Sequence, residues 1–114
     1  MLQNANRIKK RKEFGYIYKN GDTVFSKNFT MLYTSNKFKL VRIGISVSKK
    51  VGKAYMRNKI KRQIRAVCRL NLNEFPINHN YVIIPKATVV DLTYKEMEKE
   101  ILSLVGKVSK GLSN

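Results

Sequence analysis

Residues 41–70 read VRIGISVSKKVGKAYMRNKIKRQIRAVCRL, and two periodicities meet inside this stretch. Over 41–48 the side chains alternate, with Ile43, Ile45 and Val47 on one face and Arg42, Gly44, Ser46 and Ser48 on the other. That is the spacing of a strand with one core face and one small, polar face. After Val51-Gly52 the period changes. At about 100° per residue, Met56, Ile60, Ile64, Val67 and Cys68 gather in one apolar arc, and Arg57, Lys59, Lys61, Arg62, Arg65 and Arg69 spread over the rest. This predicts an amphipathic helix with a cationic outer face. The apolar run 81–84, ended by Pro85, supplies a further strand. Strand, helix and strand then form a β-α-β unit, whose two strands should be parallel neighbours.

Outward from this unit, residues 10–19 have Phe14, Ile17 and Tyr18 at helical spacing, with Asn20-Gly21 as a stop. Arg7, Lys9, Lys10, Arg11 and Lys12 crowd the front of that helix, where they oppose its dipole, so they serve something other than helix stability. Residues 24–26 and 28–34 are rich in Thr, Val, Phe and Tyr and read as two strands, followed by a polar turn over 35–39. Residues 92–108 give a last helix. There Thr93 and Glu96 suit a capping box, Leu92 and Met97 a hydrophobic staple, and Met97, Ile101, Leu104, Val105 and Val108 an inward stripe. The order α-β-β-β-α-β-α predicts an α+β fold: a single-domain sandwich over residues 1–114, with helices on one side of a four-stranded mixed sheet and residues 1–8 mobile.

The charge balance narrows the function. Lys plus Arg number 24 against 7 Asp plus Glu, a formal net charge of +17. From Thr23 to Asn73 there is no acidic residue, while Asp91, Glu96, Glu98 and Glu100 cluster near the end. One basic working surface with a scaffold behind it is the simplest reading, and such a field attracts polyanions. Cys68 is a lone cysteine on the apolar arc, which suits a small buried hydrophobe rather than a reactive thiol. His79 has no Cys or acid cluster near it, so a zinc site is not expected. The apolar runs are too short for a membrane span, and the chain reads as soluble and cytoplasmic.

Self-contained phosphodiester cleavage would need convergent carboxylates for a metal, or His with a partner. The basic region has neither. Glu96, Glu98 and Glu100 are interleaved with Lys95 and Lys99 and read as a solvated helix face. RNA binding is better supplied, because cations hold phosphates and aromatic rings stack unpaired bases. Phe14, Tyr18 and Tyr33 are the aromatic candidates, each equally open to an ordinary core role. A basic helix lying on a membrane is disfavoured, since the apolar arc of 56–68 lacks Trp, Phe and Leu.

Arg57-Asn58-Lys59-Ile60-Lys61-Arg62-Gln63-Ile64-Arg65, preceded by Gly44-Ile45-Ser46-Val47-Ser48-Lys49-Lys50-Val51-Gly52, closely resembles the signature of the bacterial ribonuclease P protein subunit. The resemblance runs nearly end to end. Phe14, Tyr18 and Gly21 fit the family's first helix, Leu32-Tyr33 its second strand, Val82-Ile83-Ile84 its fourth, and Leu92-Thr93-Tyr94 the start of its last helix. Lys59 departs from the second Arg of the usual Arg-Asn-Arg, keeping the charge without the bidentate fork, and Ala66 stands where an acid often follows Arg65.

The resemblance implies a ribonucleoprotein whose RNA subunit is the catalyst, with this chain as accessory subunit of an endoribonuclease that removes the 5′ leader of precursor tRNA. It implies that Lys53, Arg57, Asn58, Lys59, Lys61, Arg62, Arg65 and Arg69 contact the catalytic RNA. Phe14, Tyr18, Tyr33, Ser46 and Ser48 would line a leader cleft between the first helix and the sheet. It further implies no catalytic residue in the chain, no cofactor bound by the protein alone, Mg²⁺ at the RNA subunit, no DNA or membrane partner, and a left-handed β-α-β crossover against the usual right-handed rule. The competing reading, on composition and fold class alone, is a structural RNA-binding protein such as a small ribosomal protein.

Overall fold

The computed structural model describes residues 3–113. Its regular elements are α1 (Arg11–Asn20), β1 (Asp22–Phe25), β2 (Phe29–Ser35), β3 (Val41–Ile45), α2 (Ala54–Leu70), β4 (His79–Pro85) and α3 (Tyr94–Ser113), which is the expected order. The four strands form one mixed sheet in the order β1-β2-β4-β3. β2 pairs antiparallel with both β1 and β4, whereas β3 pairs parallel with β4, Ile43 opposite Tyr81. The parallel pair is the one expected across α2.

The main core fills one face of the sheet. Phe29 and Met31 of β2, Val41 and Ile43 of β3, and Tyr81 and Ile83 of β4 meet Ile60, Ile64, Val67 and Cys68 of α2 and Met97, Ile101, Leu104, Val105 and Val108 of α3. Cys68 is buried here, and burial pushes its thiol up to about 12, so it stays protonated and inert. The α3 start is fixed by the reciprocal pair expected for it: Thr93 N–H donates to Glu96 Oε1 at 2.9 Å, and Glu96 N–H donates to Thr93 Oγ1 at 3.2 Å.

The expectation that the helices share one side is corrected. A second, smaller cluster of Ile8, Ile17, Leu32 and Val82, with Phe14 and Ile84 packed against it, lies on the opposite face, beneath α1. The sheet is covered on both faces because Leu32 and Val82 alternate with Met31 and Ile83 in two central strands whose middles, 31–33 and 81–84, are continuously apolar. β3 also ends at Ile45 rather than at 48. Ser46 N–H makes one more bond, to Ile83 O at 3.0 Å, and the chain then leaves through a 3-10 turn at Lys49–Val51. Gly52, at φ 149°, supplies the bend into α2 that a side chain would resist.

Of the segment expected to be mobile, residues 1 and 2 lie outside the described residues, and the rest runs along the outer edge of β3. Arg7 bridges Ile43 in parallel, Ile8 N–H donates to Ile43 O at 3.0 Å, and Asn6 Nδ2 donates to Val41 O at 2.7 Å. Across the molecule, buried Asn28 and half-buried Glu100 tie the β1–β2 turn to α3. Asn28 N–H donates to Glu100 Oε2 at 2.7 Å, Asn28 Nδ2 to Glu100 Oε1 at 2.8 Å, and Ser26 Oγ donates to the same carboxylate. Among the described residues no helix is long and apolar enough to cross a membrane.

Candidate RNA interface

The cationic face of α2 is uncompensated. Among the described residues the one ion pair is Arg42 to Glu13, so none of the α2 bases has an acidic partner. The helix starts with no acid in its first turn, and Lys53 at its N-cap position makes no side-chain cap bond. Each of these choices works against helix stability. They are consistent with a surface that meets a polyanion.

Along that face Asn58, Lys59, Arg62 and Arg69 are exposed, as is Lys53 before it, while Arg57, Lys61 and Arg65 are half-buried. Arg62, Arg65, Ala66 and Arg69 line a shallow recess of about 230 Å³. Ala66 in place of a longer side chain leaves its floor open. Partial burial, and then the neighbouring Arg7 charge, hold the Arg65 guanidinium below its usual value. The N-terminal segment therefore brings further positive charge up to α2. The Nε of Arg57 is buried and without a hydrogen-bond partner.

A cleft of about 380 Å³ opens at the β3 edge between α1 and α2. It is lined by Lys9, Arg11, Phe14, Tyr18, Ile45, Ser46, Val47 and Lys61. Phe14 and Tyr18 stand one helical turn apart, with ring centroids 6.5 Å apart and planes tilted by 35°. Phe14 packs close against β3 because Gly44 has no side chain: a Cβ there would come within 2.6 Å of Phe14 Cζ. Tyr18 is 45% exposed, so its ring is offered outward. Three cations around two aromatic rings is the composition that holds a single strand, with phosphates on the rim and bases on the rings.

The structure brings together some of the residues singled out from the sequence and separates others. Phe14, Tyr18 and Ser46 share the cleft. Lys61, expected on the face toward a catalytic RNA, lines it as well. Ser48 is exposed and outside it, its carbonyl accepting from Val51 N–H at 3.1 Å in the 3-10 turn. Tyr33 is on the wrong face. It packs against the main core under the end of α3, 6.4 Å from the His79 ring, and Leu32 faces α1 in its stead. The reason is register, since Tyr33 pairs with Tyr81 and shares its side. Lys9 and Arg11 were missed as cleft residues, although their position at the front of α1, against the dipole, was the signal.

No group of three His, Cys, Asp or Glu side chains that could hold a metal ion occurs among the described residues. The fold thus presents two cationic surfaces, one of them with exposed rings, a composition that suits a protein of the RNA-binding class.

Comparison with known proteins narrows the class. Residues 2–109 match the Ribonuclease P family model. The chain is 43% identical to the ribonuclease P protein component of Finegoldia magna, over 95% of each chain. It is 40% identical to that of Fusobacterium nucleatum, over 92% of this chain and 97% of that one. Solved structures agree. The RNase P protein of Thermotoga maritima superposes with a TM-score of 0.83 at 30% identity, covering 89% of this chain and 96% of that one. The Staphylococcus aureus RNase P protein does so with a TM-score of 0.84 at 34% identity, covering 94% and 97%.

The chain belongs to the ribonuclease P protein family. It is thereby an accessory subunit of the endoribonuclease of tRNA 5′ processing, with the ribonuclease P RNA as partner. The reading as a small ribosomal protein is set aside.

Proposed function

We propose that this subunit holds the 5′ leader of precursor tRNA in the cleft between α1 and α2 while the outer face of α2 seats on the catalytic RNA. The observation that carries the reading is the cleft itself, where Phe14 and Tyr18 are ringed by Lys9, Arg11 and Lys61. Leader bases stack on the two rings and leader phosphates meet the three cations. Ser46 offers a hydroxyl beside them. A product lacking the leader forgoes these contacts, so the subunit favours precursor over mature tRNA.

On the other surface Arg57, Asn58, Lys59, Arg62, Arg65 and Arg69, with Lys53 before them, meet the phosphates of the RNA subunit. Their charge covers the repulsion that would arise where catalytic RNA and leader come together. Lys61 stands between the two surfaces and serves the leader side. Bond cleavage, with its Mg²⁺ ions, is the work of the RNA, a reading supported by the described residues, among which no group of three His, Cys, Asp or Glu side chains could hold a metal ion. The place of action is the cytoplasm, where precursor tRNA is processed.

The test is reconstitution. Purified protein alone should leave precursor tRNA intact, and adding the cognate RNA subunit at low Mg²⁺ should give cleavage at the mature 5′ end. Phe14→Ala and Tyr18→Ala should each narrow the preference for precursor over mature tRNA. Cleavage by the chain without RNA would overturn the assignment of the chemistry, and undiminished preference in both variants would overturn the assignment of the cleft.

A further inference from the structure

On the other flank of α1 lies a second recess that the leader cleft does not use. It has a volume of about 270 Å³ and is lined by Lys12, Glu13, Tyr16, Phe38, Arg42 and Asn80. Tyr16 and Phe38 are 61% and 60% exposed, and neither contributes to the core clusters. Burying either ring would have been favourable, so two bare aromatics around one recess need a reason. Exposed rings beside cations are the recurrent means of holding an unpaired base.

The floor is built rather than loose. Arg42 donates from Nη1 to Glu13 Oε2 at 2.6 Å and from Nη2 to Glu13 Oε1 at 3.2 Å, so two bonds hold its guanidinium in one plane. That guanidinium sits 5.2 Å from the centroid of the Phe38 ring. Phe38 is fixed from its backbone too, its N–H donating to Asn36 Oδ1 at 2.9 Å. Asn36 Nδ2 in turn donates to Asn80 Oδ1 at 2.9 Å, which leaves the Asn80 amide hydrogens as donors in the lining. Glu13 is neutralised by Arg42, and Lys12 adds a free cation at the rim. With Lys12 and Arg42 positive and Glu13 negative, the recess carries one net positive charge, which suits a phosphodiester strand.

We propose that this recess takes one unpaired nucleobase of a bound RNA, stacked on Tyr16 and Phe38, with the Asn80 amide at its edge and Lys12 at the neighbouring phosphate. It deepens the reading of the chain as an RNA-binding subunit and rests on it. Arg42 at this recess and Ser46 at the leader cleft are four residues apart along one stretch of chain, about 13 Å at strand spacing. A single strand passing α1 could thus engage both flanks. The base comes either from leader nucleotides beyond those in the cleft or from an unpaired segment of the catalytic RNA, and the chemistry is the same for both.

The chain contains no Trp, so Phe38→Trp places a single tryptophan in the recess, which can be excited at wavelengths the six tyrosines do not absorb. Its emission should fall, saturably, on titration with a short oligouridylate or with the natural RNAs. Tyr16→Ala added to this variant should weaken the quenching titration roughly fivefold or more, the lower end of what losing one base stack costs, and Tyr16→Phe should restore it. Quenching by leader-bearing precursor tRNA but not by leaderless tRNA identifies the leader as the source. Quenching by the RNA subunit alone identifies the catalytic RNA.

Emission unchanged by every one of these RNAs at saturation would overturn the proposal, as would quenching indifferent to Tyr16→Ala. Either failure is separable from that of the leader cleft. Precursor preference that still depends on Phe14 beside an unquenched Trp at position 38 sinks only the recess, and the reverse pattern sinks only the cleft.

Discussion

Adding one methyl group at Gly44 should damage the leader cleft from beneath. A Cβ there would lie 2.6 Å from Phe14 Cζ, 2.7 Å from Phe14 Cε1 and 3.2 Å from Ile8 Cβ. No real carbon pair tolerates the first two distances, so in Gly44→Ala the Phe14 ring must swing away from β3. It then uncovers the small cluster of Ile17, Leu32 and Val82 and turns away from Tyr18.

Overpacking of this kind costs about 1–3 kcal/mol. For 114 residues the unfolding entropy near the midpoint is about 0.24 kcal/mol/K, so each kcal/mol is worth about 4 °C. A melting temperature lowered by about 4–12 °C is expected by circular dichroism. The same substitution in a Phe14→Ala background should cost much less, only the contact with Ile8 remaining, and the precursor preference of Gly44→Ala should fall toward that of Phe14→Ala. An equal cost in both backgrounds would refute the idea that Gly44 exists to seat that ring.

Tyr33→Ala should differ in kind from Tyr18→Ala. It should lower the melting temperature through lost packing under α3 and change precursor and mature tRNA binding equally, whereas Tyr18→Ala, at an exposed ring, should leave the melting temperature nearly unchanged and weaken only the precursor. With about six phosphate contacts to largely single-stranded RNA, log K should fall with log salt at a slope near −4, measured by fluorescence anisotropy; a slope near zero would contradict the electrostatic account. Acid should loosen the molecule at two points. The hydrogen bond from Arg42 holds the Glu13 carboxyl below 4.5, and at Glu100 burial raises the value but the bonds from Ser26 and Asn28 outweigh it. Both carboxylates are lowered on folding, so their contribution is present above pH 4.5 and lost as pH falls through their folded values. The urea midpoint should therefore drop below pH 4.5, and less steeply in Glu100→Gln.

Where the chain has one periodicity at a time, the sequence was sufficient. The apolar arc of α2 and the parallel β3–β4 pair followed from the change of period across residues 41–84. The capping box of α3 could be read because Thr93 and Glu96 act locally. Tyr33 could not be placed for a definite reason. Met31, Leu32 and Tyr33 are successive apolar residues in a strand covered on both faces, so alternation carries no phase, and only pairing with β4 decides which side each takes.

The two-sided cover of the sheet escaped for the same reason, since nothing local says which face α1 chooses. The end of β3 at Ile45 escaped because alternation continues to Ser48 after the ladder has run out. Lys61 was visible as a cation, but whether a base on α2 faces outward or toward α1 depends on how closely the β3 edge is approached. The second aromatic recess joins Tyr16 and Phe38, which lie in α1 and in the loop before β3, and no sequence spacing links them.

The strand of backbone that runs beside β3 also bears on how the molecule keeps to itself. β3 is an outer strand, and its amide and carbonyl groups would otherwise invite a strand from a second copy. In dilute buffer a formal charge of +17 is enough to hold copies apart. At physiological ionic strength the screening length shrinks to about 8 Å, and charge fades as a barrier at contact distance. There the bonds from Asn6 and Ile8 to Val41 and Ile43 act as a physical guard, so the β3 end of this sheet stays closed to recruitment under the salty conditions in which the basic surface must still find RNA.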